Sequence, residues 1–312
     1  MTETIRTLTE LAALSRATLA RLLDSAETFL RPDAASAHRD RLVGHAVALL
    51  FHDPSTRTRF SFELAAERLG ADVLTLHEGA TSQTKGETLA DTIVTLTAMG
   101  VHHFVVRHAE NGIMDALAAT LPPATTLASA GEGTRAHPTQ GLLDALTIRL
   151  HRPEIERLTV AIVGDIAHSR VARSTIAALE TLGIGGLRLV GPRRFLPAVG
   201  ELPGAATTDL AAGLDGADVV MALRIQHERL GTGEVPDLDE YRDRYGLSIE
   251  RLAAHAKPDV LLMHPGPVNW GVELARELAD WPQSLIREQV RNGVAVRMAV
   301  LDWLANGFAG NV

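Results

Sequence analysis

Apolar segments of strand length alternate with segments of helical spacing along most of this 312-residue chain. The first clear pair is the apolar run His45–Phe51 and, behind it, Ser61–Leu69 with apolar residues at helical spacing. Such alternation is typical of a parallel sheet covered by helices. The pattern restarts after Arg152-Pro153, at the apolar run Leu158–Val163. The sequence therefore predicts an α/β protein with two doubly wound parallel-sheet domains linked by helices.

Both ends of the chain are predicted to be helical. Residues 7–30 carry leucines at helical spacing, with Ser15 as a cap between two helical pieces. A long helix is predicted from Pro282 to Asn306. Its expected packing face consists of Ile286, Val290, Val294, Val296, Met298, Leu301 and Leu304. Between them, the helical segment 138–150 is the predicted connection to the second domain.

Composition narrows the class of protein. Hydrophobic residues make up 46% of the chain and charged residues 22%, which predicts a folded rather than a disordered protein. Cysteine is absent, which excludes disulfides and thiolate metal sites and fits a cytoplasmic location. No signal peptide or membrane-spanning apolar run is recognised. The net charge of −8 disfavours a nucleic-acid partner, so an anion site would need arginines concentrated in loops.

Hydroxyl and guanidinium groups are concentrated in the loop Pro54–Arg59, between the first strand and the helix that follows. A helix N-terminus presents unpaired N–H groups and a partial positive charge. Together with these side chains it would suit a dianion of the size of phosphate. The loop alone leaves a simpler alternative open, in which Ser55 or Thr56 caps the helix and the arginines are solvated.

Other predicted strand ends carry side chains suited to anions and amides, where ligands of open α/β sheets bind. These are Arg107, His137, Gln140, Arg170, Arg224 and Gln226. Taken singly, each also fits a capping or surface role. The segment Gly164–Ile166 lacks the glycine fingerprint of dinucleotide-binding domains, and neither a Walker A loop nor a Ser-His-Asp arrangement is evident. The set favours direct transfer between a phosphate-bearing and a carboxylate-bearing substrate, without cofactor or metal.

Six motifs together carry a resemblance to a known family. They are Pro54–Arg59, Lys85–Asp91, His137–Gln140, Gly164–Arg170, Leu223–Gln226 and His264–Pro267. Along essentially its whole length the chain resembles the catalytic chains of aspartate carbamoyltransferases, in the aspartate/ornithine carbamoyltransferase superfamily. Ornithine carbamoyltransferases share the first motif but typically carry cysteines in the third motif and beside the last, and this chain has no cysteine.

The resemblance implies the aspartate/ornithine carbamoyltransferase fold and a transferase activity. The carbamoyl group of carbamoyl phosphate would pass to L-aspartate, giving N-carbamoyl-L-aspartate and phosphate in de novo pyrimidine (UMP) biosynthesis. Residues 1–137 would form the carbamoyl-phosphate-binding domain, with a C-terminal helix, 285–312, packing back on it. Residues 138–284 would form the aspartate-binding domain.

The resemblance also implies roles for the matching residues of the first domain. By motif, phosphate binding is assigned to Ser55, Thr56, Arg57 and Thr58. Arg107 would bridge the phosphate and the carbonyl group. His137 and Thr58 would polarise the carbonyl oxygen, and Gln140 would orient the carbamoyl NH₂.

In the second domain, the resemblance assigns aspartate binding to Arg170, Arg224 and Gln226, with Gly266 and Pro267 lining the pocket. In the family, Ser82 and Lys85 reach into a neighbouring subunit's site, which implies a homotrimer with shared sites. Thr81 is an adjacent candidate for the serine position. The resemblance leaves open a larger assembly with a regulatory or dihydroorotase-like chain.

Two residues depart from the family pattern. Asp53 stands where the family usually has Glu, a carboxylate that helps tie the two domains in the closed state. Trp270 stands where arginine is common.

Two other classes of function remain as alternatives. An oxidoreductase would need the missing glycine fingerprint, and a non-catalytic protein of this fold would have lost site residues that are present here.

Overall fold

The computed structural model describes residues 6–32, 37–76, 86–229 and 237–308. The chain divides into two compact units. The first unit comprises Met1–Leu143 with Arg291–Val312, and the second unit comprises Asp144–Val290. The chain passes from one unit to the other inside two helices, Pro138–His151 and Ile286–Asn306.

The first unit contains a five-stranded parallel sheet in the order β1-β5-β4-β2-β3. Its strands are β1 (Thr7–Leu8), β2 (Ala46–Phe51), β3 (Asp72–Leu76), β4 (His103–His108) and β5 (Thr126–Glu132). Its described helices before the crossing are α1 (Arg16–Thr28), α2 (Thr56–Arg68), α3 (Leu89–Ala98) and α4 (Ile113–Thr120). Strand β5 is buried along its whole length, as a central strand covered on both faces must be.

The second unit contains another five-stranded parallel sheet, in the order β10-β9-β6-β7-β8. Its strands are β6 (Thr159–Val163), β7 (Gly186–Val190), β8 (Ala205–Thr207), β9 (Val219–Ala222) and β10 (Leu261–Met263). The helices of this half of the chain are α5 (Pro138–His151), α6 (Arg170–Leu182), α7 (Leu210–Leu214), α8 (Leu238–Tyr245), α9 (Ile249–His255) and α10 (Ile286–Asn306). Two parallel sheets with helices confirm the predicted α/β class.

The later part of helix α10 completes the first unit. The guanidinium of Arg297 lies over the ring of Phe62, 5.1 Å from its centroid, and both residues are buried. Asp302 accepts two hydrogen bonds from Arg41, at 2.9 and 2.6 Å. Such a bidentate pair fixes the relative orientation of its two side chains. No helix in the described ranges has both the length and the apolar character needed to cross a bilayer.

The predicted helices at the two ends are partly wrong. Ser15 caps α1 as expected, since its Oγ accepts a hydrogen bond from Thr18 N at 3.1 Å. The preceding Thr7–Leu8, however, is a strand, because it pairs with β5 at the edge of the sheet. Helix α10 begins at Ile286 rather than Pro282, because the chain before it is hydrogen-bonded to Leu262 of β10.

The predicted packing face of α10 fails at one position. Val290 is 56% exposed, whereas the neighbouring Gln289 is only 2% exposed. The amide of Gln289 is buried because it bonds to other buried polar groups of the second unit. Hydrogen bonding of this kind outweighs the preference of a valine for the interior.

Candidate active site

The sheet order of the first unit brings the predicted site loops together. Strands β5, β4 and β2 are neighbours and run parallel, so their carboxyl ends meet at one edge. The loop after β2 contains Pro54 and Ser55, Arg107 lies near the end of β4, and the turn after β5 leads to His137. These predicted residues therefore lie on three adjacent strand ends of one unit.

The loop after β2 leads into the first turn of helix α2. Ser55 is the N-cap residue, in extended conformation, and its side chain makes no capping bond to the helix backbone. Its Oγ instead donates to Thr58 Oγ1 at 3.0 Å. Thr58 is buried, whereas Thr56 and Arg57 are exposed. Ser55 is therefore the N-cap residue by position but does not cap the helix with its side chain, and its hydroxyl is held beside that of Thr58.

Arg107 is the buried cation of this edge, with 8% of its surface exposed. Its Nη2 lies 2.9 Å from Asp53 Oδ2, and its Nε donates to the backbone oxygen of Asp53 at 3.1 Å. Its Nη1 donates to the backbone oxygen of Ala130, also at 3.1 Å. A guanidinium held at each of its nitrogens has a fixed plane. Asp53, the residue that departs from the family pattern, thus orients Arg107 within the first unit.

His137 and Gln140 flank the start of helix α5 and are both buried. The backbone N–H of Gln140 donates to the backbone oxygen of His137 at 2.9 Å. The turn before them is held by Glu132, whose backbone N–H donates to Ala136 O at 2.8 Å. The carboxylate of Glu132 accepts a hydrogen bond from Met114 N at 3.0 Å. His137 is therefore presented on a turn anchored to the buried end of β5.

In the second unit, the strands that end in predicted site residues are again neighbours. The sheet places β6 next to β9, and β9 next to β10. The loop after β6 leads to Arg170, the first residue of helix α6, which is 6% exposed. The loop after β9 carries Arg224 and Gln226, and the loop after β10 carries Gly266 and Pro267. A second set of polar loops therefore gathers at one edge of this sheet.

A buried carboxylate connects the loops after β6 and β9. Asp165 is fully buried and accepts a hydrogen bond from Gln226 N at 3.1 Å. Its other oxygen lies 2.7 Å from His168 Nδ1. In turn, the backbone oxygen of His168 accepts a hydrogen bond from Arg229. The position of Gln226 thus depends on Asp165, which stands inside one of the six motifs but was not among the predicted site residues.

The loop after β10 is organised by His264, which is 1% exposed. Its Nδ1 accepts a hydrogen bond from Gly266 N at 2.8 Å, so the proton is on Nε2, which donates to Glu273 Oε1 at 3.2 Å. Glu273 also accepts a hydrogen bond from Asn269 N at 2.6 Å. The Gly266–Pro267 peptide bond is cis. Trp270, the other departure from the family pattern, packs against the core of this unit.

Negative charge near this loop acts on one tyrosine. Burial raises the pKa of Tyr241, and the nearby charges of Glu273 and Asp165 raise it further. Its hydroxyl therefore stays protonated at neutral pH. Glu273 and Tyr241 were not among the predicted site residues, since neither stands inside a motif that sequence reasoning singled out.

Some predicted residues cannot be placed. Ser82 and Lys85, and the alternative Thr81, lie outside the described residues. The other predicted side chains fall into two sets, one at the carboxyl edge of each sheet. In the first unit the set is Ser55, Thr56, Arg57, Thr58, Arg107, His137 and Gln140, and in the second it is Arg170, Arg224, Gln226, Gly266 and Pro267.

Two family models match the chain in succession. The model described as "Aspartate/ornithine carbamoyltransferase, carbamoyl-P binding domain" matches residues 6–150. The model described as "Aspartate/ornithine carbamoyltransferase, Asp/Orn binding domain" matches residues 156–304. Together they span nearly the whole chain.

Individual proteins agree with this match. The chain is 52% identical over 305 residues to the aspartate carbamoyltransferase catalytic subunit of Xanthomonas axonopodis pv. citri, covering 96% of each chain. It is 50% identical over 306 residues to that of Stenotrophomonas maltophilia, with the same coverage. Among solved structures, aspartate transcarbamoylase from Trypanosoma cruzi, in complex with carbamoyl aspartate and phosphate, superposes with a TM-score of 0.85 at 29% identity and 95% coverage of each chain. Ornithine carbamoyltransferase from Thermus thermophilus gives 0.83 at 26% identity, over 96% of this chain and 99% of that one.

Proposed function

The chain belongs to the aspartate/ornithine carbamoyltransferase family, and we propose that it transfers the carbamoyl group of carbamoyl phosphate to the amino group of L-aspartate. The products are N-carbamoyl-L-aspartate and phosphate, an early step of pyrimidine (UMP) biosynthesis. The observation that carries the proposal is the division of buried arginines between two loop sets, Arg107 in the first unit and Arg170 in the second. Two anionic substrates need two such sets.

The first unit holds carbamoyl phosphate. Ser55, Thr56, Arg57 and Thr58 bind the phosphate at the N-terminus of α2, where backbone N–H groups and the helix dipole favour an anion. Support comes from the hydrogen bond between the hydroxyls of Ser55 and Thr58, which places both oxygens at the same point of the loop. Arg107 contacts both the phosphate and the carbonyl oxygen, and its three hydrogen-bonded nitrogens fix its orientation beforehand.

The carbonyl group is activated by His137 and Thr58, and Gln140 orients the carbamoyl NH₂. His137 and Gln140 are buried side chains at the start of one helix, which limits the orientations they can adopt. Preorganised donors of this kind stabilise the negative charge that develops on the carbonyl oxygen.

The second unit holds L-aspartate. Arg170, Arg224 and Gln226 bind its carboxylates, and the backbone around Gly266 and Pro267 lines the pocket. Guanidinium groups suit this task because they match a carboxylate with two parallel hydrogen bonds. The buried Asp165 supports the assignment, since it holds the backbone of Gln226 in place.

The reaction is a direct displacement at the carbonyl carbon. The neutral amine of aspartate forms the new N–C bond, and a tetrahedral oxyanion results. The C–O bond to phosphate then breaks, and phosphate leaves with the electron pair. The surplus proton of the amine passes to the leaving phosphate, whose oxygens can accept it. Clustered cations and positioning supply the catalysis.

The domains follow the substrates. Residues 1–137, with the C-terminal segment 285–312, form the carbamoyl-phosphate-binding domain, and residues 138–284 form the aspartate-binding domain. The compact units divide six residues later in each case, after Leu143 and after Val290. The family models give support, since they describe the two halves by those ligands. A cytoplasmic location is part of the proposal, and the absence of cysteine is compatible with it.

The chain assembles as a homotrimer in which Ser82 and Lys85 reach a neighbouring site. Exposed apolar residues on the first unit support an interface there. Phe60 and Leu64, one turn apart on α2, are 48% and 43% exposed, and Leu74 on the edge strand β3 is 46% exposed. A regulatory or dihydroorotase-like chain remains a candidate partner, and the name "catalytic subunit" of the curated relatives supports the regulatory one.

The proposal is tested by assaying purified protein with carbamoyl phosphate and either L-aspartate or L-ornithine, measuring phosphate release and the carbamoylated product by mass. Product with aspartate alone is expected. Product with ornithine alone, or with neither amino acid in a folded protein, would refute the assignment. Native mass spectrometry of the same preparation measures the number of chains in the assembly, and a monomer would refute the trimer.

A further inference from the structure

A chain of buried hydrogen bonds runs through the second unit beneath the proposed aspartate loops. It begins at Asp144 on helix α5, which is fully buried. Asp144 Oδ2 accepts a hydrogen bond from Thr175 Oγ1 at 2.7 Å, and Oδ1 accepts one from Gln289 Nε2 at 2.8 Å. A buried carboxylate needs such donors, because its desolvation is otherwise costly.

Gln289 extends this series of hydrogen bonds to the loop after β10. Its Oε1 accepts a hydrogen bond from the backbone N–H of His264 at 2.9 Å. The two partners determine which end of the side-chain amide is oxygen and which is nitrogen, since a backbone N–H needs an acceptor and a carboxylate needs a donor. An amide offers one of each at its two ends. Gln289 therefore connects a carboxylate to a backbone N–H in a way that neither a carboxylate nor an apolar side chain reproduces.

The two ends of this series of hydrogen bonds lead to different parts of the proposed aspartate site. Thr175 lies on helix α6, which begins at Arg170. His264 begins the loop that contains Gly266, and its ring accepts the hydrogen bond from Gly266 N. Asp144 thus ties the helix that carries an arginine to the loop that lines the pocket. The motif residues bind substrate, but this buried chain sets where two of their elements sit.

We propose that Asp144 and Gln289 are positioning residues for the amino-acid substrate, acting through helix α6 and the loop after His264. This inference rests on the proposed function, since it takes L-aspartate as the ligand of these loops. It assigns a role to two buried residues that stand outside the six sequence motifs. Loss of the pair should raise the KM for L-aspartate much more than the KM for carbamoyl phosphate.

The test exploits the complementary chemistry of the pair. Gln289→Glu places a second carboxylate against Asp144, and two buried carboxylates in contact cannot both be ionised. Asp144→Asn alone loses the charge that Thr175 and Gln289 are arranged to bind. Combining the two substitutions restores a carboxylate–amide pair in the reverse order. The new carboxylate accepts from His264 N–H and from the new amide, whose oxygen accepts from Thr175.

Each single variant is expected to raise the KM for aspartate about tenfold or more, because small misplacements of binding groups are costly. The double variant should return the KM for aspartate to within about threefold of the wild-type value, as expected when two residues act as a pair. In Gln289→Glu, the ratio of variant to wild-type KM should increase with pH as the shared proton is lost. Asp209→Ala is the control, since it removes one hydrogen bond, to Ala212 N, at the cap of α7 in the same unit.

Each outcome decides between positioning and a structural role. If the single variants change both KM values equally, or the double variant recovers thermal stability but not the KM for aspartate, the inference is wrong. If the single variants do not fold, Thr175→Val and Thr175→Ser replace them. Only the valine variant, which lacks the hydroxyl, should raise the KM for aspartate, and equal values for the two would also refute the inference. Wild-type protein that fails to carbamoylate aspartate would refute the proposed function instead.

Discussion

The pairing of Arg107 with Asp53 uses both the side chain and the backbone of one residue. In the family pattern this position carries the longer glutamate. Here the shorter side chain lies 2.9 Å from Arg107 Nη2 in its own unit. The same residue also accepts from Arg107 Nε through its backbone oxygen. Side chain and backbone of Asp53 therefore act together in holding the guanidinium at the edge of the sheet.

Arg57 provides a residue-scale test of the phosphate loop. It is exposed in the first turn of α2, so Arg57→Ala should leave the melting temperature nearly unchanged. Loss of a charged donor to the phosphate should lower kcat/KM about 100-fold or more, or about 3 kcal/mol of transition-state stabilisation. Steady-state kinetics and thermal melts measure the two effects.

Arg68→Ala is the matched control for this prediction, because Arg68 is also exposed but lies in the last turn of the same helix. It should retain activity close to that of the wild type. Equal loss of activity in both variants would show that Arg57 acts only through the general charge of the helix.

The buried His103, at the start of β4, is expected to make the stability of the protein sensitive to acid. Burial, followed by the nearby charges of His45 and His102, lowers its pKa from 6.5 to about 4. Between these values the unfolded chain binds more protons than the folded one. The free energy of unfolding should therefore fall as pH decreases from 6.5 to 4, by up to about 3 kcal/mol.

Urea unfolding of wild type and His103→Asn across this pH range tests the prediction. The variant should show a flatter dependence of unfolding free energy on pH, whatever its absolute stability. The exposed His227→Asn is the control and should keep the wild-type slope. An unchanged slope in His103→Asn would rule out this histidine as the source.

At the scale of elements, the strands of the two sheets were the most predictable part of the chain. Strands such as β6 are continuous apolar runs, because both faces of a parallel sheet are covered. Strand β1 escaped prediction because two residues, Thr7–Leu8, are too short for a period to be visible. Strand β8 was missed as well, since Ala205–Thr207 is short and lies at the sheet edge without a distinctive apolar run.

The candidate site was predictable where its residues stand at the end of a strand or in a recognisable motif. Arg107 was predicted from its position at the end of β4, and Arg170 from the motif Gly164–Arg170. The buried polar groups of the second unit are different, because Asp144 and Gln289 lie on helices whose periodicity favours apolar neighbours such as Val290. The residues that these hydrogen bonds join are far apart in the sequence, so no local pattern predicts the bonds.

At Gly164 the loop after β6 approaches the loop after β9 closely. It follows the last residue of β6 and has a φ of +134°, and an added Cβ would lie 2.4 Å from the backbone oxygen of Leu223, directly before Arg224. Gly164→Ala should therefore cost about 2 kcal/mol or more of stability and raise the KM for aspartate, because the loop after β9 must shift. Chemical unfolding and steady-state kinetics measure both.

The control for Gly164→Ala is Gly200→Ala. Gly200 also has a positive φ, +82°, but an added Cβ would meet no described atom within 4 Å. It should lose the smaller amount of stability that left-handed backbone strain costs, with an unchanged KM for aspartate. A similar rise of KM in both variants would exclude the contact with Leu223 as the cause.

At the scale of the whole molecule, the proposed trimer makes a prediction about shared sites. Lys85→Ala and His137→Ala should each be nearly inactive alone. If Lys85 serves a neighbouring chain, dissociating and reassociating the two variants together should create some sites with both residues intact, and activity should partly return. A flexible lysine suits this role, since it delivers a point charge to a phosphate.

Mixed trimers of His137→Ala with Gln140→Ala are the control, because both lesions lie in the same first-domain site and every site keeps one of them. These mixtures should stay inactive. If the Lys85 mixture also stays inactive while mixed trimers are shown to form by native mass spectrometry, each chain supplies its own lysine and the shared-site proposal fails.

The discontinuity of the first unit has a consequence for synthesis on the ribosome. The second unit is a continuous stretch, Asp144–Val290, whereas the first unit needs residues from 291 onward. Until those emerge, Phe62 lacks the cover of Arg297, and Arg41 lacks Asp302. Since nascent domains fold once their residues are available, the unit that starts first is finished second. Part of the apolar surface of the first unit therefore remains uncovered in the growing chain through most of translation.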